Sequence, residues 1–177
     1  MVWVTASVAA ALAAWWGISY HAWQYRGAGP LRDRGLLSHY RYQAPVGSFP
    51  FDKEGTYSFS FSGLPTESMV LQLYVPGYST KNRQEIESLR TFISAEITDG
   101  SGVAICSASG SVQGAGASHW TLYSSPFDAA LWHEACLDRP FNRWSKYTLR
   151  LSVHDVDPRT PNVNLSAVLE GGGIELP

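Results

Sequence analysis

From Thr56 onward, apolar and polar residues alternate with period two. Tyr57, Phe59 and Phe61 fall on one side and Ser58, Ser60 and Ser62 on the other, until Gly63-Leu64-Pro65 ends the run. Successive side chains of an extended strand point to opposite faces, so this spacing predicts a half-buried strand. Met69, Leu71, Leu73 and Val75 repeat the pattern up to Pro76-Gly77. Ile93, Ala95 and Ile97 precede an Asp99-Gly100 turn signal and Val103 and Ile105 follow it, which predicts a hairpin over residues 92–107. Trp120 and Leu122 share one face of a further strand. Tyr147, Leu149, Leu151 and Val153 make the cleanest one, with Thr148, Arg150 and Ser152 outward. Val163, Leu165, Ala167 and Leu169 make the last, before Gly171-Gly172-Gly173. Counting another strand near residues 131–136, about eight short strands with Gly/Pro turns predict an all-β fold, an antiparallel β-sandwich of jelly-roll type. Within it only residues 81–89 offer a helix, short and polar, and Gly110, Gly114 and Gly116 mark a flexible link.

The N-terminus follows another rule. Residues 1–25 contain no Asp, Glu, Lys or Arg, and Trp3 and Trp23 stand near the two ends of the stretch. Twenty helical residues cover roughly 30 Å, the thickness of a bilayer's hydrocarbon core, and Trp favours both interfaces. The pattern predicts a single transmembrane anchor over residues 1–25. Ala6, Ala10 and Ala14, and again Ala9, Ala13 and Gly17, recur at i+4, a spacing of small residues that permits close helix packing in lipid. A cleavable signal peptide competes with this reading, because Ala11-Leu12-Ala13 offers a cleavage site. Cleavage there would leave a very short apolar region with no Lys or Arg before it. Gly27-Ala28-Gly29-Pro30 breaks a continuing helix, and residues 44–50 add a second Pro/Gly stretch, so residues 26–51 read as a tether and residues 52–177 as the β-sandwich domain.

Composition adds little until charge is mapped along the chain. Formal charge is −2 over 177 residues. Residues 26–51 hold Arg26, Arg32, Arg34 and Arg41 against Asp33, which leaves nine basic and fourteen acidic side chains elsewhere. The basic stretch reads as a juxtamembrane segment beside lipid headgroups, and the domain carries no basic footprint for nucleic acid. Length beyond the anchor and tether suits one domain with one core.

The topology signals conflict. Four Arg after the apolar segment and none before it place the domain in the cytoplasm by the positive-inside rule. The two cysteines, Cys106 and Cys136, each lie in or beside a predicted strand, and a lone pair in a small exported β domain forms a disulfide. Closing that loop of about 30 residues would stabilise the fold by roughly 3–4 kcal/mol. Two buried free thiols in a cytoplasmic protein are the alternative. The cysteine argument favours an extracytoplasmic domain, periplasmic or on the cell surface.

No catalytic motif of high specificity is present. His133-Glu134 lacks the second His that a zinc-protease helix needs at position 137, which is Leu137. Cys106, Cys136, His119 and His133 contain no closely spaced ligand pair to set against the disulfide. Ser residues are plentiful without a nucleophile elbow. Asp155-Val156-Asp157 places two carboxylates on one side of an extended segment, a geometry hard cations use, although the surrounding Pro, Asn and Arg159 equally describe a solvated turn. Trp132 and Trp144 are the candidate binding aromatics. Trp144 is out of phase with inward Tyr147, so the pattern exposes it, and an exposed Trp can stack on a sugar ring or anchor a protein.

In Tyr57-Ser58-Phe59-Ser60-Phe61, in the pair Cys106 and Cys136, and in the closing residues from Leu165 to Gly173, the chain resembles the small exported β-sandwich domains of unknown function that bacteria tether to their envelopes. The resemblance covers residues 52–177 and brings no functional residues with it. The combined expectation is a non-enzymatic, membrane-anchored envelope protein without a cofactor or metal. Its sandwich would bind a protein partner, as an accessory subunit of a membrane complex. A carbohydrate-binding module facing the cell wall, with a glycan on Trp144 or Trp132 and polar contacts from Asp155 and Asp157, is the alternative.

Overall fold

The computed structural model describes residues 6–15, 25–33, 42–64, 69–76, 83–112, 120–121, 129–131 and 144–171. Helix α1 covers residues 6–15. The strands are β1 (Arg32–Asp33), β2 (Tyr42–Pro50), β3 (Gly55–Ser62), β4 (Met69–Tyr74), β5 (Phe92–Asp99), β6 (Ala104–Ser111), β7 (Trp120–Thr121), β8 (Ala129–Leu131), β9 (Lys146–His154) and β10 (Asn164–Gly171), with helix α2 (Arg83–Glu87) between β4 and β5. They form two antiparallel sheets, one in the order β1-β2-β10-β4-β8-β7 and the other β3-β9-β5-β6. Most successive strands cross from one sheet to the other, and β5–β6 is the predicted hairpin.

The alternation read from the sequence is the reason for this arrangement. Ile93, Ala95 and Ile97 of β5 and Tyr147, Leu149, Leu151 and Val153 of β9 are buried, and so are Leu71, Leu73 and Val75 around β4 and Leu165, Ala167 and Leu169 of β10. All belong to one cluster, which fills the space between the sheets. Phe49 of β2 meets Tyr57 of β3 across that space with ring centroids 5.6 Å apart.

Two expectations are corrected and one is refined. The sandwich begins before residue 52. Residues 42–50 form β2, with Tyr42, Ala44, Val46 and Phe49 in the core. Pro45 and Gly47 are accommodated where the β2–β10 register shifts between Ala167 and Val168, a bulge at which a proline's missing N–H does no harm. Secondly, the predicted hairpin over residues 92–107 is present but carries a bulge. A register shift between Ile97 and Thr98 turns Cys106 inward, leaving Ile105 half-buried and Val103 exposed. Thirdly, the predicted transmembrane helix is not found. Among the described residues no helix is long and apolar enough to cross a membrane. The described part of helix α1 is residues 6–15, about 15 Å of helix. Tyr25, placed at the end of the predicted anchor, is instead buried in the sandwich core.

The chain enters the sandwich at one end, here the near end. The Arg26 N–H donates to the Ser62 carbonyl at 2.8 Å. Ser62 ends β3 and pairs with Lys146 at the start of β9, while Asp99 at the end of β5 pairs with Tyr147. The far end carries the β2–β3 and β9–β10 connections and helix α2.

Candidate functional site

At the near end, Tyr25 fixes the entering chain. Its hydroxyl donates to the Pro45 carbonyl at 2.9 Å, and its ring lies over Gly27, where an added Cβ would collide with it. Burial pushes the phenol up to about 12, with a smaller opposing effect from a backbone hydrogen bond at Gly29. Beside this strap, the β5–β6 turn closes on Asp99. Its Oδ1 accepts the Ser101 N–H at 2.8 Å, the Ser101 hydroxyl at 2.6 Å and the Val103 N–H at 3.1 Å. These bonds, the Ser101 hydroxyl foremost, hold the Asp99 carboxyl below its ordinary range. Gly102 takes φ of 82°, the left-handed conformation that suits glycine, and the turn presents Val103 to solvent. Trp144, just before β9, is 69% exposed at this same end.

The far end is built from polar groups turned inward. Asp157 is buried and accepts from the backbone N–H of Arg90 at 3.1 Å and of Arg159 at 3.0 Å. It also takes the Arg159 guanidinium through Nε at 3.0 Å and Nη2 at 2.7 Å. The Arg159 side chain, then these backbone donors, hold the Asp157 carboxyl well below the usual carboxylate range. The Asp157 N–H donates to the Thr91 hydroxyl, which in turn bonds the buried Thr160 hydroxyl. Asp155, by contrast, is exposed. Its N–H donates to Glu54 Oε1 at 3.1 Å and its carboxylate lies 3.2 Å from His154 Nδ1. The two carboxylates of the predicted cation site therefore have different partners, and both Asp157 oxygens already hold Arg159.

A third constellation has no signature in the local pattern. Glu170 lies on the outward face of the six-stranded sheet, in register with Gln43, yet is only 1% exposed. Its Oε1 accepts from Gln43 Nε2 and Tyr74 Oη, each at 2.5 Å, from the strands on either side of β10. Val168, also outward, is buried too. Alternation alone reads Glu170 as solvated; its partners Gln43 and Tyr74 lie 127 and 96 residues away in sequence.

Of the remaining candidates, Cys106 is buried and no described cysteine is a free thiol. Cys136, Trp132, His119, His133 and Gly17 lie outside the described residues. Helix α1 carries Ala6, Ala10 and Ala14 on one face and Ala9 and Ala13 beside it, and all ten of its residues are exposed. Among the described residues no group of three or more His, Cys, Asp or Glu is arranged to hold a metal ion. No family model, no curated protein and no solved structure matches this chain.

Proposed function

We propose that this chain is a non-enzymatic binding protein held at a lipid membrane by its uncharged N-terminal segment, with a jelly-roll sandwich that recruits a protein partner as an accessory subunit. Helix α1 carries the reading: it has no charged residue, every one of its side chains is exposed, and Val8, Leu12 and Trp15 form a stripe at i, i+4 and i+7. A helix whose only polar side chain is Ser7 suits lipid or another apolar surface better than water. Its alanine faces suit packing against a second helix. The strand orders β2-β10-β4-β8 and β3-β9-β5-β6 support the jelly-roll description, an architecture that closes two sheets with few exposed edges.

The sandwich lies outside the cytoplasm in this reading, with Cys136 as the partner of Cys106. Support comes from the inward position of Cys106 and the absence of a free thiol among the described residues. A glycan-binding role is the second reading, favoured by the 69% exposure of Trp144.

Mild detergent extraction of the full-length chain followed by affinity capture tests the first reading. A membrane protein co-purifying in stoichiometric amount is expected. Recovery of a clean monomer, together with glycan-array binding that Trp144→Ala abolishes, would replace it with the second.

A further inference from the structure

Large apolar side chains are exposed in two places among the described residues. Val8, Leu12 and Trp15 lie on helix α1, and Val103 and Trp144 lie on the sandwich at 60% and 69% exposure. Isolated exposed apolar residues are common and need no explanation. What needs one is their position, because Val103 and Trp144 share the end at which the chain enters from α1. Arg26 bonds Ser62, Ser62 pairs with Lys146, and the turn holding Val103 projects beyond the Asp99–Tyr147 pair. Residues 16–24 separate α1 from Tyr25, a link that can span on the order of 35 Å at most. Whatever surface receives the helix is therefore within one short link of this end.

We propose that the near end of the sandwich rests on the lipid–water interface, with Trp144 and Val103 entering it and Arg26 and Lys146 meeting the headgroups. The inference rests on the membrane reading of the N-terminal segment and extends it to the domain itself. Trp concentrates at membrane interfaces because its ring is apolar while its N–H remains hydrated, and basic side chains favour anionic headgroups. Arg26 and Lys146 are both exposed at this end. Of the acidic groups at this end, Asp99 is tied to the donors of its own turn and Glu170 to Gln43 and Tyr74, while Asp33 ends β1. The far end has no exposed large apolar side chain among its described residues.

The full-length chain, reconstituted in phosphatidylcholine and phosphatidylglycerol vesicles, tests this. The chain has seven Trp, so the Trp144 fluorescence is read as the difference between wild type and Trp144→Phe. Expected are quenching of that component by acyl-chain bromine and loss of its quenching by aqueous iodide. Val103→Asp should reverse both while the chain still sediments with vesicles. A component that stays open to iodide in a vesicle-bound chain overturns this inference alone, and one shielded by soluble oligosaccharide but not by lipid assigns the site to glycan and overturns it too. Failure to sediment with vesicles overturns it together with the membrane reading.

Discussion

At the far end of the sandwich, Asp157 gathers two backbone N–H groups and the Arg159 guanidinium, and Thr91 and Thr160 close the space behind it. At the near end, the β5–β6 turn satisfies its own polar groups through Asp99, while Val103 and Trp144 remain outside. Both ends terminate strands of one core, so burial does not distinguish them. The difference is in what each leaves for a neighbour. At the far end Asp157 has its acceptors taken by Arg90 and Arg159, whereas the near end offers apolar area beside two basic side chains and the entering chain. It is this apolar area that the proposed membrane contact uses.

Breaking the far end should have the largest effect on stability. Asp157→Ala removes the acceptor of four hydrogen bonds and leaves Arg159 only its bonds to Ser88, so its melting temperature should fall further than that of the Glu170, Tyr25 or Trp144 variants. The pH dependence has a definite sign. Because the folded carboxyl titrates below its unfolded value, about 3.9, the pair contributes stability above that value and loses it as pH falls further. Thermal melts of wild type should show this acid loss, and Asp157→Ala should show less of it.

Glu170 tests whether the outward face of the six-stranded sheet is merely structural. Glu170→Ala removes the carboxylate that accepts from both the Tyr74 hydroxyl and the Gln43 amide, a loss of about 1–3 kcal/mol in denaturant unfolding. Glu170→Gln, which keeps an acceptor oxygen, should recover part of it.

These constellations also show where the sequence stopped being legible. Period-two alternation revealed β3, β4, β5, β9 and β10, because each presents one face to the core and local spacing records that directly. It missed β2, whose Pro45, Gly47 and Pro50 read as a linker; only the pairing with β10 shows a bulge that accommodates them. The β5–β6 hairpin was legible from its turn signal, but the bulge between Ile97 and Thr98, which sets the inward face of β6, is invisible to alternation. Trp144 was legible as exposed because it falls out of phase with Tyr147. Tyr25 was not, since its burial depends on Pro45, twenty residues away. Arg159 was read as a partner for the acidic loop and is one, but the convergence of Thr91 and Arg90 on Asp157 joins segments more than sixty residues apart.

Smaller effects are expected at the near end. Tyr25→Phe loses one hydrogen bond to Pro45, about 0.5–1.5 kcal/mol. In wild type the strap contributes stability below the free phenol's pKa of 10.0 and loses it as pH rises through about 12, so alkaline melts should decline over that interval and Tyr25→Phe should lack this component. Smallest of all, Trp144→Asp should change unfolding stability by no more than about 0.5 kcal/mol, the range of a surface substitution, because the side chain is 69% exposed.

Amide hydrogen exchange on the full-length chain, in vesicles and in mild detergent, tests the contrast between the two ends most directly. Slower exchange in vesicles is expected at residues 100–104 and 144–146, with residues 155–162 exchanging alike in both. Equal exchange at the near end in the two environments, or protection that appears instead at residues 155–162, would contradict that contrast.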